Sequence, residues 1–201
     1  MNRILLWILV FCLVIAVFPG CRSLTPPVTY YSLRSIPMAA VGTETDGTVA
    51  FTLGILPIEL PGEINRVQMV KRTDTHQLAI SSFHRWADFP DRLIQQTLGE
   101  NLQVLLPEAR VVTPPWPVGL KPDVTVAFQI FELIGTTDRK MSLNAQWTFA
   151  DSDQPPLLQV HRKDGVEPMP GSDFEDLAAA HSTALEVLCR EVAKSLRSFL
   201  N

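Results

Sequence analysis

The chain has 201 residues, of which 46% are hydrophobic, and its 17 basic and 21 acidic side chains give a formal net charge of −4. This length suits one domain with a proper core. The charge balance leaves no basic field to attract nucleic acid, and the plentiful apolar residues exclude a largely disordered chain. The composition therefore predicts one folded domain that does not bind nucleic acid.

The first twenty residues have the layout of an export signal. Arg3 precedes an uncharged apolar run over 4–18, which is shorter than the about 20 residues that a membrane-spanning helix needs. A Pro-Gly pair then breaks the run directly before Cys21. This order resembles a bacterial lipobox, although Phe18 stands where the motif usually has leucine.

The lipobox resemblance implies that 1–20 is a lipoprotein signal peptide and that Cys21 receives a diacylglycerol thioether. The new amino group is then acylated, typically with palmitate, and three acyl chains anchor a protein almost permanently. Arg22 follows where an aspartate would favour the inner membrane, so the outer membrane is the expected destination. An uncleaved anchor or an ordinary secreted protein remain alternatives, and both still export the domain.

Residues 21–29 are predicted to form the lipidated N-terminus and a semi-extended tether, because they contain a Pro pair and little to bury. The domain then covers 30–201. With Cys12 removed and Cys21 lipidated, Cys189 is the remaining thiol, so we expect no intramolecular disulfide. Burial alone must then hold the core together.

Short strands are predicted first, at 30–34 and from residue 48 onward, and the segment between them is a loop. Four apolar residues of the second strand share one face: Val49, Phe51, Leu53 and Ile55. The segments 66–72 and 76–81 are predicted to form a hairpin. Asp88 is then expected to cap a helix that has Pro90 in its first turn and ends before Pro107. The apolar stripe of this helix comprises Leu93, Ile94, Thr97, Leu98, Leu102 and Leu105.

The second half begins with a short extended segment, 109–113, and a Pro-rich loop that displays Trp116. The next two segments, 123–135 and 140–151, alternate apolar and polar residues and predict an antiparallel pair with one wet face. Residues 157–161 are expected to add a third strand. A long helix follows from Phe174, and its stripe is expected to lie on the sheet, with a groove for a partner helix as the alternative. The stripe comprises Leu177, His181, Leu185, Leu188, Val192, Leu196 and Phe199.

Together these elements predict an α/β fold, a single domain with a mixed, partly antiparallel sheet and two main helices packed on it. No catalytic residue, cofactor or metal site is predicted. The four histidines lack metal-binding spacings, and the glycine motifs GxSxG, GxxxxGK[ST] and GxGxxG do not occur. His181 and Cys189 fall on the apolar stripe, where packing is the expected role. A glycosidase pair of carboxylates that are distant in sequence stays open.

Two segments, LPGEINRVQMVKR and FHRWADFP, contain the most informative surface features. Trp86 brings a large aromatic side chain to the start of the first helix, either as an anchor that packs on the sheet or as an interface residue. The residues that we predict for a partner interface are Arg66, Arg85, Trp86 and Trp116.

The order and spacing of these motifs resemble the ABC-type transport auxiliary lipoproteins, the PqiC-like group. The elements are the lipobox, YYSL, GILPIELPGEINRVQMVKR, HRWADFP, the pair VAFQIFEL and LNAQWTF, and AHSTALEVLCREVAKSL. The family usually has a sequence like LPxYLDRPQIV in the second element, so residues 62–65 and Val67 depart from its pattern.

The family resemblance implies a non-enzymatic subunit of an envelope lipid-transport system. Such a lipoprotein would dock or seat an MCE-domain (mammalian cell entry, PqiB-like) protein at the outer membrane and face the periplasm. The resemblance also allows a homo-oligomer, since family members self-associate. A periplasmic lipid carrier with its own apolar cavity is the alternative function, and an envelope hydrolase ranks last.

Overall fold

The computed structural model describes residues 26–38, 49–74, 76–152 and 160–200, together with Arg3 and Trp7. Apart from Arg3 and Trp7, the predicted signal peptide lies outside the described residues, as do the lipidation site Cys21 and most of the loop that precedes Val49. Within the described ranges, no helix is long and apolar enough to cross a membrane.

The described part of the chain forms eight strands and two helices. In chain order they are β1 (Thr29–Tyr31), β2 (Phe51–Ile55), β3 (Gln68–Asp74), β4 (Gln77–Trp86), α1 (Pro90–Leu105), β5 (Ala109–Val112), β6 (Val124–Thr136), β7 (Lys140–Asp151), β8 (Val160–Pro168) and α2 (Phe174–Phe199). The predicted α/β class, with a mixed sheet and two helices in a single domain, is confirmed.

The long strand β6 organises the sheet, whose order is β1-β4-β3-β6-β2-β5, with β7 and β8 continuing from the other edge of β6. β2 pairs with the first part of β6, from Leu53↔Val124, and β3 pairs with its last part, from Lys71↔Gly135. Both of these pairings are parallel, whereas β3/β4, β6/β7 and β7/β8 are antiparallel. The predicted antiparallel pair of β6 and β7 and the predicted hairpin of β3 and β4 are confirmed.

The core lies between one face of this sheet and the two helices, which pack against each other. Alternation in β7 decides which side chains enter it, because every second residue of a strand points to the same face. Four side chains of β7 lie in the core: Leu143, Ala145, Trp147 and Phe149. Their neighbours on the opposite face are only half-buried, as the prediction of one wet face requires.

A β-bulge interrupts the alternation of β6. The pairing with β7 shifts between Ile130 and Glu132, so two consecutive residues, Phe131 and Glu132, stay out of the core and Leu133 returns to it. Phe131 is 42% exposed as a result. The bulge therefore places an aromatic side chain on the side of the sheet that faces away from the helices.

Several element boundaries differ from the predictions. Asp88 is not the N-cap of α1: Phe89 takes that position, and the Asp88 carboxylate accepts a hydrogen bond from the Phe89 N–H instead. Val49 is exposed and precedes β2, while β1 ends at Tyr31. The third antiparallel strand covers Val160–Pro168 and continues beyond the predicted end at residue 161, while residues 157–159 lie outside the described residues. Strand β4 continues to Trp86, beyond the predicted 76–81.

The start of α2 is held from two directions. Asp173 and Asp176 form a capping box, in which each side chain accepts a hydrogen bond from the other residue's backbone N–H. From β3, the Lys71 ammonium donates to the carbonyls of Ser172 and Asp173 and lies 4.2 Å from the centroid of the Phe174 ring. Burial lowers the pKa of Lys71, opposed by the nearby carboxylates. These contacts attach α2 to the centre of the sheet.

Candidate partner interface

The sheet face that points away from the helices, here called the open face, is the main uncovered surface of the described fold. Strand β4 shows how residues are divided between the two faces. His84 stacks on Phe174 of α2 with a centroid separation of 4.1 Å, and Trp86 meets His181 of α2 edge-on at 5.1 Å. Because neighbours along a strand point in opposite directions, Arg85 between them belongs to the open face.

Tyr30 extends the open face to the end of the sheet. It is the register partner of Arg85 across β1 and β4, and its side chain is 62% exposed. Tyr31 points the other way, and its hydroxyl makes a 2.8 Å hydrogen bond to Nδ1 of His84. An exposed aromatic ring therefore lies beside an arginine at this edge.

Trp116 covers the open face near its opposite end. Leu53 and Ile55 of β2 are fully buried in the core, so Gly54 between them faces the open side. A Cβ atom on Gly54 would lie 2.6 Å from Cγ of Pro122 and 2.8 Å from Cζ2 of Trp116. The indole thus packs directly on the glycine backbone, and glycine is required there because any side chain would collide.

The middle of the open face combines apolar and polar side chains. The Arg162 guanidinium lies 6.0 Å from the centroid of the Phe131 ring, and the Gln146 amide donates to Gln129 across β6 and β7 at 2.6 Å. Arg72 and Glu132 form an ion pair nearby. Exposed aromatic and arginine side chains are common at protein interfaces, so this composition suits a docking surface.

The structure separates the four residues that were predicted for the interface. Arg85 and Trp116 lie on the open face but toward different ends, and Arg66 is half-buried in the segment before β3. Trp86 is only 7% exposed and belongs to the core, as the anchor alternative describes. Its burial makes Trp86 a poor contact for a partner.

Arg66 and Arg85 share one unusual feature. In each, the Nε atom is buried and lacks a hydrogen-bond partner among the described residues. Their backbones are close, since Gln68 is the register partner of Arg85 and Val67 accepts a hydrogen bond from the Trp86 N–H. Two guanidinium groups that form no ion pair with a described residue thus lie near the junction of β3 and β4.

Tyr30, Phe131 and Arg162 also belong to this surface but were missed from the sequence. Tyr30 was part of a recognised strand, so its alternation was a usable signal. Phe131 depends on the bulge, and Arg162 lies just beyond the predicted end of its strand at residue 161. Neither of these two residues carried a local signal that could have identified it.

The apolar recess beside Trp86 and His181 is too small for a lipid. Its solvent space is about 20 Å³, which holds about one water molecule. Side chains from β4, α1 and α2 fill the rest, including Leu93, Ile94 and His181. This recess is therefore a packing defect of the core rather than a binding cavity.

His181 is a buried histidine whose hydrogen bond is internal to α2. Its Nδ1–H donates to the Leu177 carbonyl at 2.8 Å, and burial lowers the pKa of the imidazole to about 4. The hydrogen bonds to backbone carbonyls oppose this shift only in part, and no charged side chain contributes to it. The ring is therefore neutral at neutral pH.

The buried imidazole predicts a pH-dependent stability. The imidazole of His181 binds a proton near pH 6.5 in the unfolded chain but only near pH 4 in the folded chain. The free energy of unfolding should therefore decrease as the pH is lowered from 6.5 to 4, by up to about 3 kcal/mol. Urea titrations at several pH values should show a smaller fall for His181→Gln, while His76→Gln, at an exposed position, should keep the wild-type dependence. An unchanged slope in His181→Gln would contradict this role.

No group of three metal-ligating side chains occurs in the part of the chain that the structure describes. Cys189 is fully buried, with Sγ 3.9 Å from the Leu98 carbonyl, and burial raises the pKa of its thiol. A thiol in this setting is a packing group and a poor nucleophile.

Comparison with known proteins identifies the family. The model of the ABC-type transport auxiliary lipoprotein component matches residues 31–193. A crystal structure of an uncharacterized protein superposes with a TM-score of 0.70 at 16% identity, covering 85% of this chain and 99% of that one. A protein of the DUF330 family from Xanthomonas campestris gives a TM-score of 0.64 at 12% identity, with 84% and 93% covered.

At such low identity, the two solved structures show the shared fold alone. No curated protein matches this chain. The family match covers most of the chain and includes every element that forms the open face except the start of β1. The chain therefore belongs to the ABC-type transport auxiliary lipoprotein component family.

Proposed function

We propose that this protein is a lipid-anchored subunit of an envelope lipid-transport system that docks an MCE-domain protein through its open face. Its family consists of auxiliary lipoproteins of ABC-type transport and is not an enzyme family. Residues 1–20 would be the signal peptide, Cys21 the lipid attachment site and 30–201 the transport domain. The domain would sit at the outer membrane and face the periplasm.

The uncovered sheet face is the observation that supports docking. Both helices lie on one side of the sheet, which leaves the other side with exposed aromatic and arginine side chains. A tether of a few residues would hold this surface near a conduit that ends at the membrane. Tethering raises the local concentration of the docking surface without adding any contact.

A lipid carrier is less well supported. A carrier must enclose acyl chains, and the apolar recess beside His181 has room for about one water molecule. Three wider recesses of about 460, 590 and 640 Å³ lie on the described fold, but they are open surface grooves and do not enclose a ligand.

Photo-crosslinking tests the docking surface. We expect benzoyl-phenylalanine at Tyr30 or Phe131 to capture an MCE-domain protein in cells that express one, because both rings are exposed on the open face. The matched control is Lys194, on the exposed side of α2, where capture should be at least about tenfold weaker. Equal capture at Lys194, or none at the two aromatic positions, would contradict docking through this face.

A further inference from the structure

Two arginine side chains near one end of the sheet, Arg66 and Arg85, are partly buried but have no anion beside them. In each, the Nε atom is buried and lacks a hydrogen-bond partner among the described residues. No described residue accepts a hydrogen bond from their terminal nitrogens, and these nitrogens are not buried. Packing therefore holds the base of each guanidinium group, while its tip reaches the solvent.

Strand pairing brings the two arginines to the junction of β3 and β4. Gln68, at the start of β3, is the register partner of Arg85. The carbonyl of Val67 accepts a 2.7 Å hydrogen bond from the Trp86 N–H, and Arg66 directly precedes Val67. Because residues along a strand rise by about 3.3 Å each, the side chain of one arginine can span the distance to the other. The two positive charges can therefore act on one ligand.

The acidic side chains that are nearest in sequence do not pair with these arginines. Asp88, three residues after Arg85, forms an ion pair with Arg92 instead. Glu63, three residues before Arg66, is exposed and forms no ion pair with either arginine. The described residues around the junction thus provide no counter-ion for the two guanidinium groups.

A third arginine of the same sheet shows the usual arrangement. Arg72 of β3 is half-buried and forms an ion pair with Glu132 of β6. Burying part of a cation costs free energy unless an anion and hydrogen bonds compensate for it, so pairing within the chain is expected. Arg66 and Arg85 lack this compensation in the single chain. An anion supplied by another molecule would therefore be favourable at their position.

We propose that Arg66 and Arg85 form a carboxylate-binding site, which takes an aspartate or glutamate side chain of the docked partner protein. The site rests on the proposed docking function and adds the chemistry by which the partner is recognised. A guanidinium group can bind a carboxylate through two parallel hydrogen bonds, and a group that packing already orients loses less entropy on binding. Tyr30, the register partner of Arg85, lies exposed beside it. Tyrosine and arginine are enriched among the residues that dominate protein–protein binding.

A protein carboxylate suits this site better than the phosphates of a bilayer surface. The chain has a formal net charge of −4, which repels an extended anionic surface. A short acidic segment experiences mainly the local field, because charges are screened over about 8–10 Å at physiological ionic strength. Patches that bind anionic lipids typically contain about four to eight basic residues, and this junction has two.

Peptide binding tests the site without the transport partner. The full-length protein in a non-ionic detergent is titrated into fluorescein-labelled tetraglutamate or tetraglutamine at low ionic strength, and fluorescence anisotropy is measured. We expect tetraglutamate to bind at least about tenfold more tightly, and Arg66→Gln or Arg85→Gln to remove most of this preference. The matched control is Arg110→Gln, which removes an exposed arginine of β5 and should bind like the wild type.

Competition decides between a carboxylate and a phosphate as the ligand. Glutarate should displace labelled tetraglutamate at lower concentration than glycerol 3-phosphate, which has the phosphate of a lipid headgroup. Stronger displacement by glycerol 3-phosphate would assign the site to lipid and overturn the proposal. Equal affinity of the wild type and Arg85→Gln for tetraglutamate would also overturn it. Unchanged far-UV circular dichroism of each variant excludes misfolding as the cause of a loss.

Crosslinking in cells separates the carboxylate site from the docking function. With benzoyl-phenylalanine at Tyr30, a variant with both Arg66→Gln and Arg85→Gln should capture the MCE-domain protein at least about tenfold less than the wild-type background. Arg110→Gln should leave capture unchanged. Undiminished capture in the double variant would refute the carboxylate site and leave docking intact. No capture in the wild-type background would contradict docking itself and with it the identity of the ligand.

Discussion

Replacing Trp147 with alanine is expected to lower the free energy of unfolding by about 4 kcal/mol, the typical cost of removing a large aromatic side chain from a core. Trp147 is 3% exposed in the middle of β7, and its indole stacks on His161 at 5.6 Å. Its Nε1–H donates to the Ser195 hydroxyl of α2 at 2.9 Å. One side chain thus links three elements, so little can relax into the space it leaves.

Two matched variants separate packing from hydrogen bonding at Trp147. Trp147→Phe keeps most of the ring but loses the donor, and Ser195→Ala keeps the indole but removes its acceptor; each should cost about 1–2 kcal/mol. Urea unfolding followed by far-UV circular dichroism measures all three. A loss in Trp147→Ala no larger than that in Trp147→Phe would show that the indole does not hold α2 on the sheet.

Replacing Cys21 with serine is expected to release the protein from the membrane fraction. The thioether at this sulfur is the predicted attachment point, and a hydroxyl cannot replace it. Because multiple acyl chains bind a bilayer almost permanently and an unacylated domain does not, the change in distribution should exceed about tenfold. Membrane fractionation and mass spectrometry of the N-terminal peptide measure it.

Cys189 provides the control for the thiol. It is fully buried in α2 and lies outside the predicted lipobox, so Cys189→Ser should leave the protein in the membrane fraction. Globomycin should cause the precursor of the wild type to accumulate. Cys21→Ser protein that remains in the membrane, or wild-type protein with an unacylated amino terminus, would refute lipid anchorage at this position.

The elements that could be predicted are those with a local pattern. Apolar residues at steps of three and four marked α1 and α2, and strict alternation marked β6 and β7, because both periods follow from backbone geometry within one element. The ends were less predictable. Asp88 has a good capping side chain, yet Phe89 is the N-cap, since Pro90 begins the helix and the carboxylate bonds the Phe89 N–H.

The candidate interface was predicted only in part because it depends on irregular strands. The Ser81 hydroxyl accepts hydrogen bonds from the N–H groups of Phe83 and His84. In the same part of β4, its register with β3 shifts between the pairs Gln68↔Arg85 and Val70↔Ile80. The alternation of side chains between the two sheet faces in the predicted hairpin, 66–72 and 76–81, therefore cannot be extended to Arg85 and Trp86. Both were predicted for the interface, although neighbouring strand residues point to opposite faces.

The sequence by itself determined the periodic elements and the absence of known catalytic motifs, and it predicted the export signal, since each depends on residues that are close together in the chain. Only the tertiary structure decided which sheet face α1 and α2 cover, that Trp86 enters the core, and that β8 pairs only with β7 among the described residues. These outcomes arise from contacts between distant segments, such as Trp147 with Ser195 and Trp86 with His181. No local pattern encodes them, because burial depends on what the rest of the chain packs against a surface.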